Sequence, residues 1–223
     1  MKIYFLLVSA LAIYSVGASA AVKQSGADSF LLTYSAPITT PPAKAYASIA
    51  QVQQWWSDDY TWSGKAANLT LAPTAGGCFC ERWKDGSVEH GRVILAVQDR
   101  LLRIDGALGP LQELATKGVL DFMINTGGDG ATQLSVEYRV TGASDSALDT
   151  LAPQVDQHLG AQVARLVRYI NTGNPEQPLV ATPTQQASDV RAALLHAWAT
   201  QAADEKSAAP KKADIPPKPA KKP

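Results

Sequence analysis

Two cysteines, Cys78 and Cys80, are the only thiols in the chain, and they stand two residues apart. On a strand, side chains at i and i+2 leave the same face, so these sulfurs would lie side by side. Strand neighbours at that spacing are near the upper limit of Cα separation for a disulfide. The residue types leave three readings open: two small buried hydrophobes, a labile redox pair in an oxidising compartment, or a soft-metal site. Zinc motifs usually place two residues between the cysteines, and this spacing differs from them.

The residues that follow extend the site. Asp85-Gly86 is a dipeptide suited to the positive φ of a tight hairpin turn. Used as a two-residue turn, it sets Arg82 opposite Glu89, Glu81 opposite His90 and Cys80 opposite Gly91. Both charged pairs are complementary, which supports that register, since like charges placed opposite are penalised. Cys78, Cys80, Arg82, Glu89, Val93, Leu95 and Val97 would then share a face, apolar deep down and polar at its mouth. Phe79, Glu81, Trp83, His90 and Arg92 would share the other. A carboxylate can orient an imidazole and keep it near neutral pKa, so either pair offers acid–base chemistry. The same pairs are ordinary cross-strand contacts, worth little when exposed.

A second cluster is aromatic. Trp55, Trp56, Tyr60 and Trp62 fall within one short segment. Each indole offers a flat apolar surface and one N–H, useful for holding a ring or sugar and equally useful as a core plug. With Phe122 and Tyr138 from later strands, the candidate ligand-binding lining is Trp56, Trp62, Cys78, Cys80, Arg82, Glu89, Phe122 and Tyr138. No residue stands out as catalytic. His158 and His196 are expected at the surface, and with three histidines in all, no metal centre is expected. The chain has no phosphate-cradling glycine loop with lysine, no dinucleotide fingerprint and no nucleophile elbow. No cofactor is expected. Asn68-Leu69-Thr70 is a glycosylation sequon by pattern alone.

These side chains need elements to hold them. Residues 30–34 read as a strand, ended by Pro37, and Pro41-Pro42 open an alanine-rich helix over 43–50. A second short helix or turn covers 52–57. Strands follow at 67–71, 78–83, 88–97, 100–105, 117–125 and 132–140, the last with the cleanest alternation. A long helix over 147–171 carries one apolar stripe through Leu148, Leu151, Val155, Leu159, Leu166 and Ile170, with Gly173 as its C-cap. A sheet with one apolar face and a helix with one apolar stripe satisfy each other by packing together. The expected class is α+β, with a curved antiparallel sheet of about seven strands around a long C-terminal helix.

This element order, with Ala75-Gly76-Gly77-Cys78-Phe79-Cys80-Glu81 in an early strand and the glycine-bearing loop at 106–111, resembles the START-related helix-grip superfamily (SRPBCC). More narrowly it is similar to bacterial polyketide cyclase/dehydrase-like and activator-of-Hsp90-ATPase-like proteins. The likeness spans residues 29–173. It implies a cavity between sheet and helix that takes up apolar or aromatic molecules.

The flanks are of another character. Lys2, an apolar run over 3–16 and Ala18-Ser19-Ala20 have the form of a signal peptide cleaved after Ala20, too short for a membrane anchor. Export to the periplasm or outside the cell is therefore expected, and no transmembrane segment. The domain is placed at 28–173, a proline-bearing linker at 174–184, and an appended helix at 185–205. Residues 206–223 form a Lys/Pro/Ala tail too poor in apolar bulk to fold. Its Lys206, Lys211, Lys212, Lys218, Lys221 and Lys222 could make weak contact with an anionic surface. Twenty basic and twenty acidic residues cancel, so no global field recruits nucleic acid. The leading reading is an exported, non-catalytic protein binding a small apolar or aromatic molecule between sheet and helix. The alternatives are a cyclase- or aromatase-type enzyme using Arg82 and Glu89, and an interaction module using the C-terminal helix and basic tail.

Overall fold

The computed structural model describes residues 21–179 apart from Asp129, so the leader, the appended helix and the lysine tail lie outside the described residues. Strands β1 (Ala21–Gly26) and β2 (Ser29–Ile38) form a hairpin, followed by helices α1 (Pro42–Ala50) and α2 (Val52–Trp55). Six strands come next: β3 (Leu69–Leu71), β4 (Cys78–Trp83), β5 (Gly86–Val97), β6 (Leu101–Asp105), β7 (Lys117–Thr126) and β8 (Thr132–Thr141). Helix α3 (Leu148–Thr172) closes the domain. The eight strands make one antiparallel sheet in the order β1-β2-β8-β7-β6-β5-β4-β3. This is the expected α+β class with one strand more. Strand β1 is polar and lacks apolar alternation, so nothing in its composition marks it.

Alternation explains the core. Along β8, Leu134, Val136, Tyr138 and Val140 are buried, and along β2 Phe30, Leu32, Tyr34 and Ala36 are buried opposite them. Helix α3 covers this face with Leu148, Ala152, Leu159, Val163, Leu166, Val167 and Ile170. Leu151 and Val155 flank that stripe, half-buried, and Gln162 takes an inner position. Pro153 lies inside α3 as its sixth residue, where it supplies no N–H to the helical ladder, and Gly173 ends the helix at φ 78°.

The β4–β5 hairpin departs from the expected register. Its turn is Lys84-Asp85, and Trp83 pairs with Gly86, Arg82 with Ser87, Glu81 with Val88 and Cys80 with Glu89. Neither turn residue has positive φ. Gly86 answers to space instead: a Cβ there would lie 2.4 Å from the Trp83 ring. The register then slips between Cys80/Glu89 and Phe79/Gly91, leaving His90 as the extra residue of a bulge. A bulge turns two successive side chains to one face, so Phe79, Glu81, His90 and Val93 are all buried. Cys78, Arg82, Glu89 and Arg92 are half-buried or exposed. Val93 is thus inner, while Leu95 and Val97 are exposed, so the single face expected for all of them does not form.

The bulge also demands small residues. A Cβ on Gly91 would meet Ile104 Cγ2 at 2.7 Å and Asp105 O at 2.8 Å, and one on Gly106 would meet His90 O at 2.3 Å. We expect Gly91→Ala to destabilise the domain by about 1–3 kcal/mol through overpacking, read by urea unfolding, whereas Gly128→Ala, with open space around it, changes little.

Candidate functional site

Two places on the domain carry unusual chemistry, one on each face of the sheet. A groove stands beside them, at the sheet's end.

On the inner face, Glu81 is fully buried in the middle of β4. Its carboxylate accepts hydrogen bonds from Trp62 N at 3.1 Å and Ser63 N at 2.6 Å, and His90 Nε2 lies 3.1 Å from Oε2. Burial by itself would raise the Glu81 pKa, but the hydrogen bonds from Ser63, Trp62 and His90 outweigh it and hold the carboxyl below its ordinary range. His90 is pulled below the usual histidine value by burial, only partly offset by Glu81. The imidazole lies 4.9 Å from the Phe79 ring, and Phe79 meets Trp56 edge-on at 5.6 Å. The expected Glu81–His90 pair is therefore formed, although the two are not ladder partners, because the bulge carries His90 inward. An imidazole kept neutral and oriented by a carboxylate can hold or pass a proton, and here the pair also anchors the 62–63 segment to the sheet.

The other expected pair does not form. Arg82 and Glu89 are exposed, and Glu89 binds Arg92 Nη2 at 2.5 Å instead. With both on the solvent-facing side of the sheet, they lose the cavity-mouth placement on which the cyclase-type reading depended. On that same outer face, Cys78 and Cys80 are joined in a disulfide with a Cα separation of 5.4 Å, inside the usual range. Bonded sulfurs are not the thiolates a soft metal requires, so the metal reading does not apply to this state.

The remaining candidates are dispersed. Phe122 is buried against Trp55, edge-on at 6.5 Å. Tyr138 is buried, with its hydroxyl accepting from Leu108 N at 2.9 Å and donating to Gly106 O at 3.1 Å. Its pKa is raised, mainly by burial. Trp56 is half-buried and donates to Tyr60 O at 2.9 Å, while Trp62 is 54% exposed. His158 meets the Tyr60 ring at a tilt, with ring centroids 4.8 Å apart. The buried apolar side chains of β2, β8 and α3 belong to one cluster. The polar exception is Gln162, whose Oε1 accepts from Ser57 N at 2.9 Å and whose buried Nε2 has no partner among the described residues.

A groove of about 750 Å³ runs between α1 and the tip of the β5–β6 hairpin. Ala43, Ala47 and Ala50 line one wall with Tyr46, and Pro73, Thr74, Ala75 and Ala96 line the other. Gln51, Gln98 and Asp99 supply its polar groups. Burial raises the Tyr46 pKa, and the Asp99 carboxylate raises it further, so the phenol stays a neutral donor. Sequence reading missed this groove because alanines on a helix signal only helix propensity.

Comparison with known proteins adds the fold. The chain resembles a conserved protein of unknown function, EF2215 from Enterococcus faecalis, at TM-score 0.50 and 9% identity over 79% of this chain and 90% of that one. The fold is helix-grip-like. Other similar structures are CalU16 from Micromonospora echinospora (TM-score 0.43, 13% identity, 71% of this chain and 81% of that one) and DynU16, a protein of the dynemicin biosynthetic locus (0.42, 21%, 65% and 48%). These likenesses are of fold alone. No family model and no curated protein matches the chain. No helix among the described residues is long and apolar enough to cross a membrane.

Proposed function

We propose that this protein is an exported binding protein that holds a small, flat, apolar or aromatic molecule in the groove against α1. The observation that carries this reading is the groove's wall. Three alanines and Tyr46 give it an apolar wall, and Gln51, Gln98 and Asp99 supply a few polar groups. That is the composition of a small-molecule site: apolar area for affinity, sparse polar groups for orientation. A ligand with a hydrogen-bond donor near Asp99 fits best, since a carboxylate only accepts. The helix-grip resemblance supports uptake of apolar molecules, which we place in the described groove against α1 rather than between sheet and α3. Export is supported by the leader-like N-terminus and by the Cys78–Cys80 disulfide, since disulfides persist in oxidising compartments.

The test uses N-phenyl-1-naphthylamine, a neutral aromatic probe that brightens in apolar surroundings. We expect saturable binding, weakened about tenfold or more in Ala47→Trp, whose indole fills the groove from an exposed position. Unchanged thermal unfolding of the variant will show that the fold is intact. Absent binding, or equal binding to both proteins, overturns the groove as the site.

A further inference from the structure

We propose that Cys78–Cys80 is a thiol–disulfide exchange centre that oxidises external thiols on the outer face of the sheet. Three observations lead there. First, the bridge is a poor staple. It encloses only Phe79, and both cysteines already belong to one hydrogen-bonded strand. Disulfide stabilisation grows with loop length, so a loop this short constrains the unfolded chain far less than a long-range bridge does.

Second, its two sulfurs differ in access. Cys80 is 6% exposed, whereas Cys78 is half-buried near the surface. An incoming thiolate therefore meets Cys78 Sγ first. Third, the sulfurs sit beside an ion pair. Both sulfurs and a Glu89 carboxylate oxygen lie within 4.8 Å of one another, Glu89 pairs with Cys80 across the ladder, and Arg92 pairs with Cys78. Arg92 binds Glu89 and also donates to Gly76 O at 3.1 Å, so the guanidinium is held in place. The cation offsets the carboxylate that would otherwise repel an attacking thiolate and a departing one.

The chemistry balances with the thiol as reductant. A thiolate attacks Cys78 Sγ, a new sulfur–sulfur bond forms, and the Cys78–Cys80 bond breaks. The electron pair leaves on Cys80 Sγ, which takes a proton from solvent. A second thiolate attacks the mixed disulfide, releases Cys78 as a thiol after protonation, and departs as an external disulfide. Two thiols are oxidised and one protein disulfide is reduced to a dithiol. Ile94, Leu95 and Val97 lie further along β5, 51%, 37% and 40% exposed, and give an apolar strip along which a cysteine-bearing polypeptide could lie.

The test mixes the purified oxidised protein with reduced glutathione, or with an unstructured peptide carrying one cysteine between apolar residues. Reduction is followed by intact mass. We expect each thiol to be oxidised about tenfold faster than by the unstrained linear disulfide of 2-mercaptoethanol. A faster reaction with the peptide assigns polypeptide thiols as the substrate, and equal rates assign small thiols. Arg92→Ala, which leaves Glu89 bare beside the sulfurs, should slow the reaction about fivefold, and Glu89→Gln should not slow it. A merely structural bridge would leave these rates alike. The proposal is overturned if exchange is no faster than with the linear disulfide of 2-mercaptoethanol, if the charge variants react alike, or if reduction unfolds the protein.

Discussion

Replacing Glu81 by alanine is expected to destabilise the domain by about 3 kcal/mol or more, since each buried donor left without its acceptor costs about 1–3 kcal/mol. The residue is fully buried, and its carboxylate satisfies Trp62 N, Ser63 N and His90 Nε2. Alanine leaves those donors without an acceptor, and an unsatisfied buried polar group costs more than a made hydrogen bond contributes. Glu81→Gln keeps one acceptor oxygen and should cost less. Equilibrium urea unfolding of the two variants checks the order, and equal losses would show that the carboxylate's second oxygen matters little.

The same pair sets a pH dependence. The His90 pKa is depressed from 6.5 in the folded state, so below about pH 6.5 the unfolded chain binds a proton that the folded chain refuses. Stability is then fully present above that pH and falls as the solution is acidified toward the folded value. Glu81 is also held below its ordinary 4.5, so a second decline begins below about pH 4.5. Melting temperature should be level above about pH 7 and fall in these two stages. His90→Gln should abolish the first decline and spare the second. If the variant keeps both, the imidazole is not the group that titrates.

How much of this was legible beforehand depends on which force sets each feature. Strand β8 and helix α3 announce themselves because burial on one face imposes a period, 2.0 or about 3.6, on the residue types. Strand β1 does not, since its place at the sheet edge is set by backbone pairing to β2 rather than by apolar side chains. The β4–β5 hairpin shows a subtler failure. Asp85-Gly86 suggested positive φ, whereas the glycine is there to lie beneath the Trp83 ring. The bulge at His90 then offset the shifted register, so Glu81 and His90 still met while Arg82 and Glu89 did not. Local turn chemistry cannot reveal a bulge that depends on Gly91 and Gly106 fitting across β5 and β6. The groove was illegible for another reason: its wall is the ordinary outer surface of an alanine-rich helix, and only the approach of the β5–β6 tip makes it concave.

Trp55→Ala should be the costliest single change in the aromatic segment, at about 3–5 kcal/mol, or roughly 6–20 °C in melting temperature for a domain of this size. Trp55 is 2% exposed and ties together elements far apart in sequence. Its ring meets Phe122 of β7 edge-on and Trp56 at 5.4 Å. Its indole Nε1 donates to Ser48 O of α1 at 3.1 Å, and its own carbonyl accepts from Arg165 Nε of α3 at 2.7 Å. Truncation to alanine would keep the Arg165 contact, which is made by backbone, but would open a cavity and leave the α1 carbonyl without its indole donor. The adjacent Trp56 is the internal control. It is half-buried and packs on Phe79 from the edge of the core, so Trp56→Ala should cost distinctly less. If the two losses were equal, Trp55 would not be the anchor of the α1–α2–α3 junction, and the packing of both helices on the sheet would have to rest on α1 residues such as Ile49, which is fully buried.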